Sequence, residues 1–191
     1  MKIGIFSGSF NPIHVGHLIL ANYITEFTEI DEIWFLVTPQ NPLKENAELI
    51  NEDLRLEMTR LALESYPQFK CSDFEFKLPR PSYTVNTLDA LNEKYPEHQF
   101  SLIIGADNWD TFHQWKDYKL ILDKYHIYVY PRLDAKLTIA KGLRSSVEAL
   151  ESPIIEISST FIRDSIAEGK NMKAFLSESV YDYIEEKNLY R

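Results

Sequence analysis

Cysteine is nearly absent from this chain of 191 residues: Cys71 is the only one. A lone cysteine excludes an internal disulfide or a thiolate zinc cluster and suits a reducing compartment. It lies in a strand-like run, where a buried, inert thiol is the plain reading. No apolar run approaches the roughly 18 residues that suggest a membrane span. No extended apolar segment follows a charged one near Met1, so no secretory signal is expected. Positive charge is also in deficit, with 20 Lys and Arg against 29 Asp and Glu, a formal net charge of −9. A non-specific grip on DNA or RNA needs a broad basic surface. A phosphorylated small molecule needs only a few cations converging locally. Zinc-ligand spacing, a dense carboxylate cluster among the strand ends, internal repeats and low-complexity stretches are missing too. The expectation is a cytoplasmic protein with no nucleic-acid or membrane partner and no assigned metal ligand. Nothing in the sequence sets an oligomeric state.

What is present is ordinary for a globular domain: 45% hydrophobic and 26% charged residues, with aromatics at 13%. The length suits one domain, residues 1–191, able to bury a substantial core. Strand and helix patterns alternate along it. Residues 3–6, 33–37, 100–104 and 127–130 read as short buried strands. Phe74, Phe76 and Leu78 alternate like a strand with one face buried, and 154–157 reads as a last strand. Helical spacing runs over 15–27, 84–95, 119–124 and 177–187, and behind Asn51, a good N-cap, with Leu54, Met58, Leu61 and Ala62. Residues 133–152 read as a loop or weak helix. Such alternation predicts an α/β domain, Rossmann-like and doubly wound, with a mostly parallel sheet and helices on both faces. Ligands bind such sheets outside the carboxyl ends of the strands. Each unusual motif here directly follows an expected strand, so all of them can open onto one crevice.

The first motif is GSFNPIHVGH, Gly8 to His17. Gly8 lets the backbone turn and approach a ligand closely. Asn11-Pro12 fixes the approach to the helix. The helix start then presents unpaired N–H groups and a positive dipole end to an anion. His14 and His17, three apart, share one side of the first turn. Gly16 leaves room above it for a flat ring or a phosphate. The arrangement suits a nucleoside triphosphate, with imidazoles donating to phosphate oxygens and able to take a positive charge near them. For H-x-G-H alone, two solvent-facing histidines at a helix start are an equal alternative.

The second motif is ISSTFIRDSI, Ile157 to Ile166. Ser158, Ser159 or Thr160 caps the helix behind it, and their hydroxyls and the helix amides can hold phosphate oxygens. Arg163 reaches the same anion and binds it in a fork. Taken alone, a capped helix with an Arg163-Asp164 surface pair is the simpler reading.

Together these stretches resemble the nicotinate/nicotinamide mononucleotide adenylyltransferases, within the HxGH nucleotidyltransferase superfamily. The family patterns G-x-F-x-P-x-H-x-G-H and S-S-T-x-I-R are both complete here. Further pieces fall between them in order: Thr38-Pro39 with Pro42-Leu43-Lys44, Ser82-Tyr83-Thr84-Val85-Asn86-Thr87-Leu88, and Gly105-Ala106-Asp107 with Trp115. The resemblance implies that ATP and nicotinate mononucleotide are joined to deamido-NAD with release of pyrophosphate, by direct attack of the mononucleotide phosphate on the ATP α-phosphorus. His14, His17 and Arg163 would be catalytic, with His17 acting on the transition state. Gly8, Ser9, Phe10, Gly16, Gly105, Asp107, Ser159 and Thr160 would complete the ATP site, with Asp107 accepting from a ribose hydroxyl. Lys44, Thr84 and Trp115 would hold the mononucleotide, Trp115 stacking on the pyridine ring. Mg²⁺ would arrive with ATP. Asp107 or Thr84 as a mere helix cap, Trp115 as core and Lys44 as a solvated lysine remain the alternatives. Leu43 stands where the family usually has His, which puts the Lys44 loop in doubt.

Sibling enzymes with the same turn, a phosphopantetheine adenylyltransferase or a cytidylyltransferase, are the nearest competing readings. A nucleotide-binding sensor without catalysis is a third. A class I aminoacyl-tRNA synthetase is argued against by the acidic charge and the short chain. The compact chain resembles bacterial members, which mostly prefer the nicotinate form.

Overall fold

The computed structural model describes residues 1–39, 49–133, 135, 137–143 and 145–191. At its centre is a sheet of six strands: β1 (Lys2–Gly8), β2 (Glu32–Val37), β3 (Phe69–Ser72), β4 (Gln99–Gly105), β5 (His126–Tyr130) and β6 (Val147–Ala149). Their order across the sheet is β3-β2-β1-β4-β5-β6, and every pairing is parallel. Parallel neighbours need long crossovers. The helices are α1 (Val15–Phe27), α2 (Glu52–Leu63), α3 (Thr84–Lys94), α4 (Ala106–Thr111), α5 (Tyr118–Lys124), α6 (Ser159–Ala167) and α7 (Glu178–Glu186).

Side chains alternate across the sheet, and both faces are buried, as in a doubly wound α/β fold. Phe6 and Phe35 pack with Leu18 and Ile24 of α1, Met58 of α2, Ile162 of α6 and Val180 and Ile184 of α7. Ile3, Ile5 and Leu36 face the other way, onto Leu88 and Leu91 of α3 and Ile121 of α5. The chain winds outward from β1 to β2 in one direction and from β4 to β5 in the other. The carboxyl ends of β1 and β4 therefore border the switch point where such sheets bind ligands. Register sets the neighbours there: Gly8 lies beside Val37, and Gly105 beside Tyr130.

Two expected strands are corrected. The alternation at Phe74, Phe76 and Leu78 is not a strand; Phe74–Lys77 is a 3₁₀ turn. Ser72 Oγ accepts from the Phe74 amide at 3.2 Å, which bends the chain out of β3. Residues 154–157 are irregular, and the sixth strand instead lies inside 133–152. Leu150 N–H donates to Val129 O at 2.9 Å as the pairing with β5 ends, and Pro153 has no N–H to continue it. The cap of α3 is Tyr83 rather than Thr84, which is the first helical residue.

Candidate active site

After Gly8 the chain takes a left-handed step at Phe10 (φ 42°) and a cis Asn11-Pro12 peptide, then stays extended at His14. His14 is the N-cap of α1. Its amide donates to His17 Nδ1 at 3.2 Å, and its carbonyl accepts from the His17 amide at 3.0 Å. The two imidazoles stack with centroids 3.7 Å apart and planes 26° from parallel. Because His17 Nδ1 accepts, the neutral ring carries its proton on Nε2. Phe6 and Phe10 press their edges on His17 at 5.9 and 5.2 Å. Phe10, placed among the ATP contacts from sequence, has a side chain only 2% exposed, so it supports the His17 ring from the core.

Both imidazoles are held neutral. Burial lowers the His14 pKa to about 4, with the Arg132 cation adding to it. Burial, then His14 and Arg132, push His17 well below the usual histidine range. Gly16 also has a nearer reason than room for a ligand. A Cβ there would meet His14 Nδ1 at 3.0 Å and Ile155 Cγ2 at 3.3 Å, so glycine makes the imidazole stack possible.

Four side chains from distant elements hold this turn. Ser159 Oγ donates to Pro12 O at 2.9 Å, and Arg163 Nη1 to Asn11 O at 3.1 Å. Both were expected from sequence at a phosphate; both grip the turn itself. Tyr190 Oη donates to Asn11 Oδ1 at 2.9 Å. Arg55, only 1% exposed, donates from Nη1 to Ser9 O (2.6 Å) and Thr38 O (2.9 Å) and from Nε to Ile50 O (3.1 Å). Ser158, the N-cap of α6, accepts from the Phe161 amide. The amides of Ser159 and Thr160 therefore stand at an open helix N-terminus, with Thr160 Oγ1 at 3.4 Å from Arg163 Nη2.

Across the switch point, Gly105 is followed by Asp107 in the first turn of α4. A Cβ on Gly105 would meet Asp107 Oδ1 at 2.3 Å and the Tyr130 ring at 3.0 Å, so any larger residue there would push the carboxylate from its present position. Asp107 Oδ1 lies 3.8 Å from Arg132 Nε, and the Arg132 guanidinium sits over the Tyr130 ring at 5.3 Å. A small cavity joins this side to the histidines, lined by His14, Gly16 and His17, by Tyr130 and Arg132, and by Ile155 and Ile157.

Thr84 and Trp115 form a second group. Lys116 Nζ sits over the Tyr83 ring at 4.7 Å, bringing the two segments together. Trp115 is half-buried, packs on Phe112 at 5.2 Å, and keeps its indole Nε1 buried with no hydrogen-bond partner among the described residues. The two groups are linked through the buried Glu75, whose Oε1 accepts from Ser7 of β1 and Thr87 of α3. Lys44 lies outside the described residues.

Arg55, Arg132 and Tyr190 are absent from the sequence reading. Arg132 had a usable signal, because it follows β5 as the other motifs follow β1 and β4. Arg55 and Tyr190 had none, since only tertiary contact brings them to the turn. Among the described residues no group of three or more His, Cys, Asp or Glu is placed to hold a metal ion. None of their helices is long and apolar enough to cross a membrane.

A parallel sheet with this switch-point turn places the protein in the nucleotidyltransferase class of α/β folds. Residues 5–165 match the cytidylyltransferase-like family model. A "Probable nicotinate-nucleotide adenylyltransferase" of Flavobacterium johnsoniae is 52% identical over 192 residues, covering 100% of both chains. Its counterpart of the same description in Bacteroides thetaiotaomicron is 53% identical, covering 97% of this chain and 92% of the relative. Among solved structures, Plasmodium falciparum nicotinic acid mononucleotide adenylyltransferase complexed with NaAD shares the fold at a TM-score of 0.80 and 21% identity, covering 99% and 97% of the two chains. The chain belongs to the nicotinate-nucleotide adenylyltransferase family, within the cytidylyltransferase-like proteins.

Proposed function

We propose that this chain, as one nucleotidyltransferase domain, joins ATP and nicotinate mononucleotide to give deamido-NAD and pyrophosphate. The observation that carries the reading is the His14–His17 stack at the start of α1, with the His17 proton directed to Nε2 and its turn held by Arg55, Ser159, Arg163 and Tyr190. A phosphate oxygen of the mononucleotide attacks the ATP α-phosphorus. The bond from that phosphorus to the α,β-bridging oxygen breaks, and pyrophosphate leaves with the electron pair on that oxygen. No protein group is covalently modified. Catalysis is then positioning plus stabilisation of developing negative charge.

The geometry supports a definite role for each residue. His17 Nε2–H donates to an α-phosphate oxygen as charge builds. The stacked, neutral His14 keeps that ring upright and adds a second polar edge. A triphosphate beside both rings opposes the effect of burial and raises their pKa values again, so the negative ligand supplies the condition for charging them. The open amides at Ser159 and Thr160, with Arg163, receive the β- and γ-phosphates from the other side. Gly8 and Ser9 bring backbone close to the phosphates, and Asp107 beside Gly105 accepts from a ribose hydroxyl. Arg132, next to Asp107 and the histidines, adds a cation at the same phosphates. Thr84 and the first amides of α3 face the carboxylate of the pyridine ring, and Trp115 packs on the ring. Mg²⁺, when bound, would neutralise charge on the triphosphate that carries it.

The deciding experiment is pyrophosphate release from ATP and Mg²⁺ with nicotinate and nicotinamide mononucleotide side by side. Nicotinate should be faster by about tenfold or more, because hydrogen bonds to a charged group contribute about 1.5–3 kcal/mol. Release with neither, but with phosphopantetheine, would move the chain to a sibling activity.

A further inference from the structure

Glu75 is a carboxylate where a hydrocarbon would ordinarily sit. It lies in the turn Phe74–Lys77 and is 3% exposed. Its hydrogen-bond donors among the described residues are hydroxyls rather than cations. Thr87 Oγ1 donates to Oε1 at 3.0 Å and Ser7 Oγ to the same oxygen at 3.3 Å. The hydroxyls of Thr38 and Ser82 flank it as well, opposing the upward pull of burial on its pKa. Oε2 is buried and has no partner of hydrogen-bond geometry among the described residues, and the same is true of Ser82 Oγ. Burying a charge without a counter-ion is expensive, and an apolar residue of similar volume often serves stability as well or better. Stability alone therefore gives no reason for a carboxylate here.

Its position gives one. Ser7 is the next-to-last residue of β1, one step before the phosphate turn. Thr38 follows β2. Ser82 and Thr87 bracket Tyr83 and Thr84, where α3 begins. Thr87 Oγ1 also lies 3.4 Å from Tyr83 O, the bond back into its own helix that threonines commonly make. Glu75 draws that hydroxyl away and ties it to β1. The amides of Thr84 and Val85 point out of the helix start without intrahelical acceptors and carry its positive dipole end. Their direction depends on how this first turn is seated against the strand.

We infer that Glu75 is a positioning residue for ring selectivity: by tying Thr87 to Ser7, it seats the start of α3 so that its amides converge on the carboxylate of the pyridine ring. This inference rests on the reading of Tyr83 and Thr84 as the ring-recognition segment. Glu75 touches no substrate and acts through α3. A neutral amide ring gains little from converging N–H groups, so loosening the seat falls mainly on the nicotinate substrate.

The test is the ratio of kcat/KM for nicotinate over nicotinamide mononucleotide in Glu75→Leu, Glu75→Gln and Thr87→Val, with Trp115→Ala as a reference. The ratio is independent of how much of a preparation is folded. Glu75→Leu should lower it by about tenfold, the scale of a hydrogen bond to a charged group, while the KM for ATP stays within about twofold of wild type. Glu75→Gln keeps the acceptor oxygen and should retain the ratio within about threefold. Thr87→Val removes one donor with little change in volume; it should lower the ratio several-fold and carries the test if Glu75→Leu does not fold. A wild-type ratio in Thr87→Val or in folded Glu75→Leu overturns the inference, and so does a loss in Glu75→Gln as large as in Glu75→Leu. If Trp115→Ala weakens a wild-type preference that the other variants leave intact, the inference alone fails. Wild-type protein that uses neither mononucleotide overturns the ring-site reading and the inference together.

Discussion

A histidine with a pKa near 4 couples the site to folding as well as to chemistry. The sign follows from burial. Unfolded, His14 takes a proton as the pH falls through about 6.5. Folded, it resists until about 4. Between those values the unfolded chain binds more protons, so stability present above about pH 6.5 is lost progressively as the pH falls toward 4. For His14 the full loss is about 3 kcal/mol, with His17 acting in the same direction. Urea midpoints measured from pH 7.5 to 4.5 should fall in wild type and flatten in His14→Gln; equal slopes in both would show that His14 titrates normally. Chemistry separates the pair. His17→Ala should cut kcat by about a hundredfold or more with the KM for ATP little changed, because its bond strengthens only as charge develops. A wild-type kcat in that variant would remove His17 from the mechanism. Arg55 is the other residue whose worth lies in its shape. Its fork reaches four carbonyls at once, and a lysine ammonium cannot match that planar geometry. Arg55→Lys should therefore lose about 2 kcal/mol or more of stability despite keeping its charge. A melting temperature equal to wild type would show that the charge alone suffices.

At the scale of elements, the turn after β1 is a short loop held by two helices and the tail. Ser159 and Arg163 come from α6, Arg55 from α2, and Tyr190 from beyond α7. Tyr190→Phe removes one hydrogen bond, worth about 1 kcal/mol, from the Asn11 side chain. It should raise the KM for ATP severalfold and leave the nicotinate-to-nicotinamide ratio alone; an unmoved KM would show that the tail braces the turn without tuning it. This scale also shows what was legible in the sequence. The start of α1 at Val15 and the Asn51 cap were readable because local chemistry decides them: a turn element before a helix, and a side chain accepting the Asp53 amide. Met58 and Ala62 of the expected face of α2 are buried and Leu61 packs half-buried on the same core, but Arg55 and Thr59 are buried beside them where the spacing gave no sign of it. A hydrophobicity pattern cannot anticipate an arginine satisfied by four backbone carbonyls. Residues 154–157 misled in the opposite way. Ile154 is exposed, while Ile155 and Ile157 are half-buried and line the cavity beside the histidines, so an apolar run marked the wall of the candidate site and not a strand.

For the whole molecule, the candidate site straddles the two directions in which the chain winds. Gly8, His14 and His17 belong to the β1 side; Gly105, Asp107 and Arg132 belong to the β4–β5 side. A nucleotide bridging them opposes any opening of the sheet between β1 and β4. ATP at about a hundred times its Kd should add about 2.7 kcal/mol to the free energy of unfolding, provided it binds only the native state. A thermal midpoint indifferent to ATP would place binding elsewhere. The alternating order of strands and helices was legible at this scale because each parallel neighbour requires a crossover helix. The sixth strand was not, since its three residues carry too little pattern to stand apart from a loop.

The clamp on the phosphate turn also has a kinetic side. Asn11 meets Tyr190 across 179 residues and Arg163 across 152, while Pro12 meets Ser159 across 147. Contacts so distant along the chain close large loops, and their entropic cost precedes their reward. The turn proposed to receive the triphosphate follows β1 but is completed by residues 147 to 179 positions later. During refolding, regain of nucleotide binding should coincide with the final, global step, however early the first strands pair. Fluorescence of a bound nucleotide analogue, followed beside far-ultraviolet circular dichroism, would time the two events.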